Sequence, residues 1–114
     1  MQKELTGNLF AVKTSNGGSF ISTQPSFPLK KFDMVIYKAD NFFKVAIIVG
    51  ITKNSYVVCE QEEYEIKKGD IIGVVVAYLK DGELIRDTDR KFKSYISKQR
   101  RRYYLQKIKK KYRW

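Results

Sequence analysis

The chain has no histidine in its 114 residues and one cysteine, Cys59. Without histidine there is no imidazole to act as base, nucleophile or metal ligand, which excludes Ser-His and Cys-His mechanisms. A lone cysteine excludes an intramolecular disulfide and leaves no Cys/His cluster for zinc, so no metal site is expected. Gly17-Gly18 is followed by no Lys-Ser/Thr pair and opens no helix, so a phosphate loop is not supported and no cofactor is expected. The two prolines, Pro25 and Pro28, fall close together and mark a stiffened loop. No apolar run approaches the roughly 18 residues of a membrane-spanning helix. The opening residues lack the apolar stretch of a secretory signal. These absences predict a cytoplasmic, reducing location.

Hydrophobic residues make up 43% of the chain and aromatic residues 14%. That composition suits one folded domain with a modest core. The formal charge of +11 is unevenly placed. Met1–Glu83 carries ten residues of each sign, whereas Leu84–Trp114 carries 13 Lys/Arg against Asp87 and Asp89. A neutral body therefore bears a cationic tail, and such a tail attracts phosphate-rich surfaces at long range.

The body reads as strands. Met34–Tyr37, Phe42–Ile51, Tyr56–Cys59 and Ile71–Leu79 are apolar runs rich in β-branched residues. Turn chemistry separates them near Asp40-Asn41, Asn54-Ser55 and Asp81-Gly82, and Glu83–Ile85 is a return strand. Gly73 predicts a bulge or bend within its strand. Glu60–Glu65 is acidic and reads as a solvated loop or edge. Leu9–Val12 and Phe20–Ser22 are candidate strands around an Asn16-Gly17-Gly18 turn. Cys59 reads as an inert buried residue. The predicted fold is mainly β: a small, strongly bent sheet or partial barrel over residues 1–86, followed by a basic amphipathic helix within 87–114. The helix is expected over 89–112. Phe92, Ile96 and Tyr103 recur at helical spacing and should face the body, with Ile108 a further contact.

One segment suggests chemistry. Ser22-Thr23-Gln24-Pro25-Ser26-Phe27, followed by Phe32-Asp33-Met34-Val35-Ile36, resembles the Ser-Met-x-Pro-Thr-Leu … Gly-Asp-x-Val pattern of the LexA and type I signal peptidase superfamily. The Phe42–Ile51 strand with Tyr56–Val58 is similar to the middle hairpin of those domains. Gly69-Asp70-Ile71-Ile72-Gly73 through Ala77, with Lys80-Asp81-Gly82-Glu83, resembles their closing strand and hairpin. The likeness spans about residues 15–86. It implies a Ser-Lys dyad, with Ser22 as nucleophile and Lys44 as base. The base requires a lysine whose charged form is disfavoured by burial. The sequence departs from the pattern at three points. Thr23 stands for Met, Phe32 stands for Gly, and Pro28-Leu29 is inserted. Alignment on Gly50 puts the lysine position at Ala46, and Lys44 lies about 7 Å earlier along the strand on the same face. Each residue also has a plain structural reading: Ser22 as a turn or cap hydroxyl, and Lys44 as an edge-strand lysine reaching water.

Three functions follow. The first is a Ser-Lys peptidase cutting an extended peptide bound at a sheet edge. The second is a non-catalytic relative that only binds such a peptide or partner protein. The third is a nucleic-acid-binding module acting through Arg100, Arg101, Arg102, Lys107, Lys109, Lys110 and Lys111, with Tyr103, Tyr104 and Trp114 available to stack on bases. An anionic membrane surface is a variant partner for the same tail.

Overall fold

A computed structural model of the chain describes residues 9–15, 18–59 and 62–111. Among these residues the fold consists of eight antiparallel strands, a short 3-10 turn at Lys68–Asp70 and one C-terminal helix. The strands are β1 (Phe10–Thr14), β2 (Gly18–Thr23), β3 (Met34–Ala39), β4 (Phe42–Ile51), β5 (Ser55–Cys59), β6 (Glu63–Lys67), β7 (Ile71–Lys80) and β8 (Glu83–Arg86). They form one sheet in the order β1-β2-β7-β3-β4-β5-β6. Strand β7 is long enough to pair with β2 along one edge and with both β3 and β8, end to end, along the other.

Local chemistry sets the connections. Asp40 and Asp81 adopt positive φ of 56° and 53°, and Gly82 follows at 80°. These conformations close the two-residue hairpins at Ala39↔Phe42 and Lys80↔Glu83, as tight turns between twisted strands require. The acidic segment expected as loop or edge supplies the edge strand β6 from Glu63 onward. The Asn16-Gly17 part of the first predicted turn lies outside the described residues.

Gly73 does not break β7, which runs unbroken from Ile71 to Lys80. The irregularities lie in its pairing. The register shifts opposite Ile36/Tyr37 and opposite Ile21/Ser22, leaving Ile72 and Val76 as the extra residues. A third shift, at Ile48/Gly50, leaves Val49 extra on β4. Bulges of this kind increase local twist. The sheet is open: β1 and β4 share no ladder. Ser15 nevertheless donates its backbone N–H to the Phe43 carbonyl at 2.9 Å.

Both faces of the central strands are covered, which is why β3 and β4 read as continuous apolar runs rather than alternating ones. One face gathers Val12, Phe20, Ile36, Val45 and Ile47 beneath the helix. The other gathers Leu29, Val35, Ile48, Tyr56 and Val58 beneath the proline loop. That loop is pinned by the Leu29 N–H, which donates to the Tyr56 hydroxyl at 3.0 Å. Ile36, Ile48 and Val58 are wholly buried, each contributing roughly 2 kcal/mol of transfer free energy.

The helix, α1, spans Arg90–Lys111, and Tyr112 lies outside the described residues. Asp89 organises its start. Its carboxylate accepts from the Arg86 N–H at 2.9 Å, its own N–H donates to the Arg86 carbonyl, and its carbonyl accepts from the Lys93 N–H. Phe92 and Tyr103 are buried in the sheet's core, with Tyr95 and Ile96 partly buried against it. The tail is therefore part of the packed body. Ile108 departs from expectation. It is 53% exposed, because five residues of helix turn it about 140° away from Tyr103, onto the side facing away from the sheet.

Candidate nucleic-acid interface

Ser22 and Lys44 fall on opposite faces of the sheet. Ser22 shares its face of β2 with Phe20, two residues away, pairs with Val75 and crowds Gly73, all on the helix-covered face. Lys44 alternates with Val45 and pairs with Tyr37, so it shares the loop-covered face with Ala46 and Ile48. A nucleophile and its base must meet within hydrogen-bond reach, and this register does not bring the two together. Ser22 is neither turn nor cap: it lies within β2, is wholly buried, and its hydroxyl has no hydrogen-bond partner among the described residues. The substrate-accessible surface that a peptidase serine needs is absent there.

A second hydroxyl cluster has a structural role. Thr52 Oγ1 and Ser55 Oγ lie 2.6 Å apart, and the Ser55 hydroxyl donates to the Glu65 carboxylate. Together they tie the β4–β5 turn to β6. Cys59 is buried as expected, with its thiol 3.8 Å from the Gln106 side-chain oxygen. Among the described residues no group of acids, cysteines or histidines is placed to hold a metal. No helix among them is long and apolar enough to cross a membrane.

The cations are organised by the helical repeat. With Phe92, Ile96 and Tyr103 turned inward, 3.6 residues per turn sorts the remainder of α1 into two flanks and an outer ridge. Lys91, Lys98, Arg102 and Lys109 run along one flank, and Lys93, Arg100 and Lys107 along the other; all are exposed. The ridge carries Arg90, Ser94, Ser97 and Arg101, then Tyr104, Leu105 and Ile108. Of the cations expected from sequence, Arg100, Arg101, Arg102, Lys107 and Lys109 are exposed on this surface. Lys110 and Lys111 lie in the last turn of the helix. Arg90, Lys91, Lys93 and Lys98 extend the surface toward the helix start. Their density within the same charge-rich segment is the sequence signal for them.

Few acids oppose this charge. Lys91 pairs with Glu83 at 3.0 Å and Lys107 with Glu63 at 4.0 Å. The Lys91 amine is held above the usual lysine range, chiefly by its hydrogen bond to Glu83. That of Lys107 is raised by the Tyr103 hydroxyl beside it and then by Glu63. The Arg100 guanidinium sits 4.3 Å from the centre of the Phe32 ring, a cation–π contact that leaves its charge in place. Arg90, Lys93, Lys98, Arg101, Arg102 and Lys109 have no ion-pair partner among the described residues. Of the aromatic residues expected to stack on bases, Tyr103 is buried, Tyr104 is half-exposed and edge-on to Phe32, and Trp114 lies outside the described residues.

Comparison with known protein families, characterised proteins and solved structures finds no match to this chain.

Proposed function

We propose that the protein binds duplex nucleic acid through the exposed side of α1, by its phosphate backbone and without sequence preference. The observation that carries this reading is the pair of cationic flanks on either side of one exposed ridge. A helix lying in a major groove turns its flanks toward the two phosphate backbones. Ser94 and Ser97 keep the ridge low between Arg90 and Arg101. Burial of Tyr103 in the core removes one of the rings a single-strand platform would use, which favours duplex over single strand. The sheet acts as the scaffold that holds α1 rigid. A Ser22–Lys44 peptidase is not carried into this proposal, because the two side chains face opposite ways.

The test is fluorescence anisotropy with labelled duplex and single-stranded oligonucleotides of equal length, alongside sedimentation with anionic vesicles at matched salt. Duplex affinity should fall with salt on a log–log slope of about −5 if six cations each displace one counterion. The vesicle measurement has a specific rival behind it. Tyr104, Leu105 and Ile108 are exposed apolar residues at the cationic end of α1, and a lipid surface would engage them. Vesicle binding without duplex binding would overturn the proposal.

A further inference from the structure

The hairpin β7–β8 and the first half of α1 enclose an open cleft of about 580 Å³, within the size range of small-ligand sites. Its walls carry four cations, Lys80, Arg90, Lys91 and Lys98, against two acids, Asp81 and Glu83. Glu83 is already engaged by Lys91. Lys80, Arg90 and Lys98 therefore converge on the cleft with no ion pair among the described residues. Tyr78 and Tyr95 form one side, their ring centres 5.4 Å apart. Burial raises the Tyr95 hydroxyl above the usual phenol range, the neighbouring Tyr78 adding to the rise and Arg102 opposing it, so it remains a hydrogen-bond donor at neutral pH.

Like charges gathered against an aromatic wall repel one another, and an anion bound among them relieves that repulsion. The low-dielectric wall strengthens the attraction compared with an open surface. Arg90 supplies a planar fork suited to phosphate oxygens, and Lys80 and Lys98 supply point charges from two different elements. The volume exceeds what a bare phosphate ion fills, and the tyrosine wall suits the apolar face of a base or sugar.

We infer that this cleft is a binding site for a nucleotide phosphomonoester, either a free nucleoside monophosphate or the phosphorylated end of a strand. The site goes beyond backbone attraction to α1, because Lys80 stands on the sheet, away from the ridge and both flanks. On duplex, the cleft would hold a 5′-phosphate while α1 follows the groove.

Deoxyadenosine monophosphate, deoxyadenosine and inorganic phosphate should be titrated into the full chain by calorimetry. Single-site binding of the monophosphate with a dissociation constant of about 1 mM or tighter, at least about tenfold tighter than either fragment, is expected. Lys80→Gln should weaken it about tenfold, the effect of one charge-assisted contact, while leaving internal duplex affinity unchanged. Lys109→Gln should do the reverse. A 5′-phosphorylated oligonucleotide that outbinds its 5′-hydroxyl twin, with the difference lost in Lys80→Gln, identifies the strand end as the source. Equal binding of the two twins beside tight monophosphate binding identifies the free nucleotide. No saturable monophosphate binding, or equal affinity for the nucleoside or for inorganic phosphate, overturns the inference. Loss of duplex binding with monophosphate binding intact would instead overturn the reading of α1.

Discussion

Ser22 and Gly73 form one packing unit across β2 and β7. A Cβ built on Gly73 would lie 2.9 Å from Ser22 Cβ and from Phe10 Cζ, and 3.1 Å from the Thr23 carbonyl oxygen. The ring tip of Phe10 can yield, but the other two atoms belong to the ladder. Gly73→Ala should therefore destabilise the fold by about 1–3 kcal/mol, the usual cost of overpacking, readable as a lowered denaturation midpoint with an unchanged m-value. Ser22→Ala should do the opposite or nothing. It deletes a buried hydroxyl with no partner among the described residues and so removes a desolvation penalty of about 1 kcal/mol. A loss of stability exceeding about 1 kcal/mol in Ser22→Ala would mean the hydroxyl makes a bond that the structure does not contain.

The elements were largely legible in the sequence, and the reasons are physical. Strands at Met34, Phe42, Tyr56 and Ile71 were visible because runs of β-branched residues end at turn dipeptides with a backbone reason to turn. The start of α1 was visible because acids precede a cationic helical repeat. What the sequence hid was relative placement. The strands that carry Ser22 and Lys44 are each legible as local structure. Which face each presents depends on register across β2, β7, β3 and β4, and nothing in the local pattern encodes that register. Ile108 differs for another reason: a spacing of five residues from Tyr103 carries a side chain about 140° around the helix, so strict periodicity already turns it outward.

At the scale of α1, packing and charge are separable. Tyr103→Ala should cost about 3–5 kcal/mol, as removal of a buried aromatic ring does, and weaken polyanion binding only through unfolding. Lys98→Gln with Lys109→Gln should shift stability by less than about 0.5 kcal/mol, since exposed charges contribute little to folding. That pair should nevertheless flatten the salt slope by about 1 per residue. Denaturation and anisotropy on the same two variants would separate these effects, and a matching loss in both measurements would contradict the separation.

For the whole molecule, pH offers a sharp check. The chain has no histidine, and the charged groups of the α1 interface are Arg and Lys. Lys91 and Lys107 are shifted upward, so each stays charged in the folded state to a higher pH than in the unfolded chain. Their contributions are fully present below the unfolded lysine value and are lost as pH rises through the higher folded one. Duplex affinity should therefore be flat from about pH 6 to 9 and fall only above about 10. An affinity that drops between pH 6 and 8 would point to a titrating group outside this interface.

Strand β7 has a consequence for how the chain reaches this state. It bridges β2 and β3, which are joined to each other by no ladder of their own. Until Ile71–Lys80 has left the ribosome, the nascent chain has two pieces with no ladder between them, the β1–β2 hairpin and the β3–β6 meander, which touch in the folded state where Ser15 meets Phe43. Insertion of β7 then closes contacts spanning some fifty residues at once, from Phe20↔Tyr78 to Thr23↔Val74. Loop-closure entropy opposes that step, so the transition state should contain β7 already docked and folding should fall in the slow regime of about milliseconds to seconds. The unpaired edges of the two waiting pieces are the surfaces on which the chain would aggregate if synthesis stalled before β7.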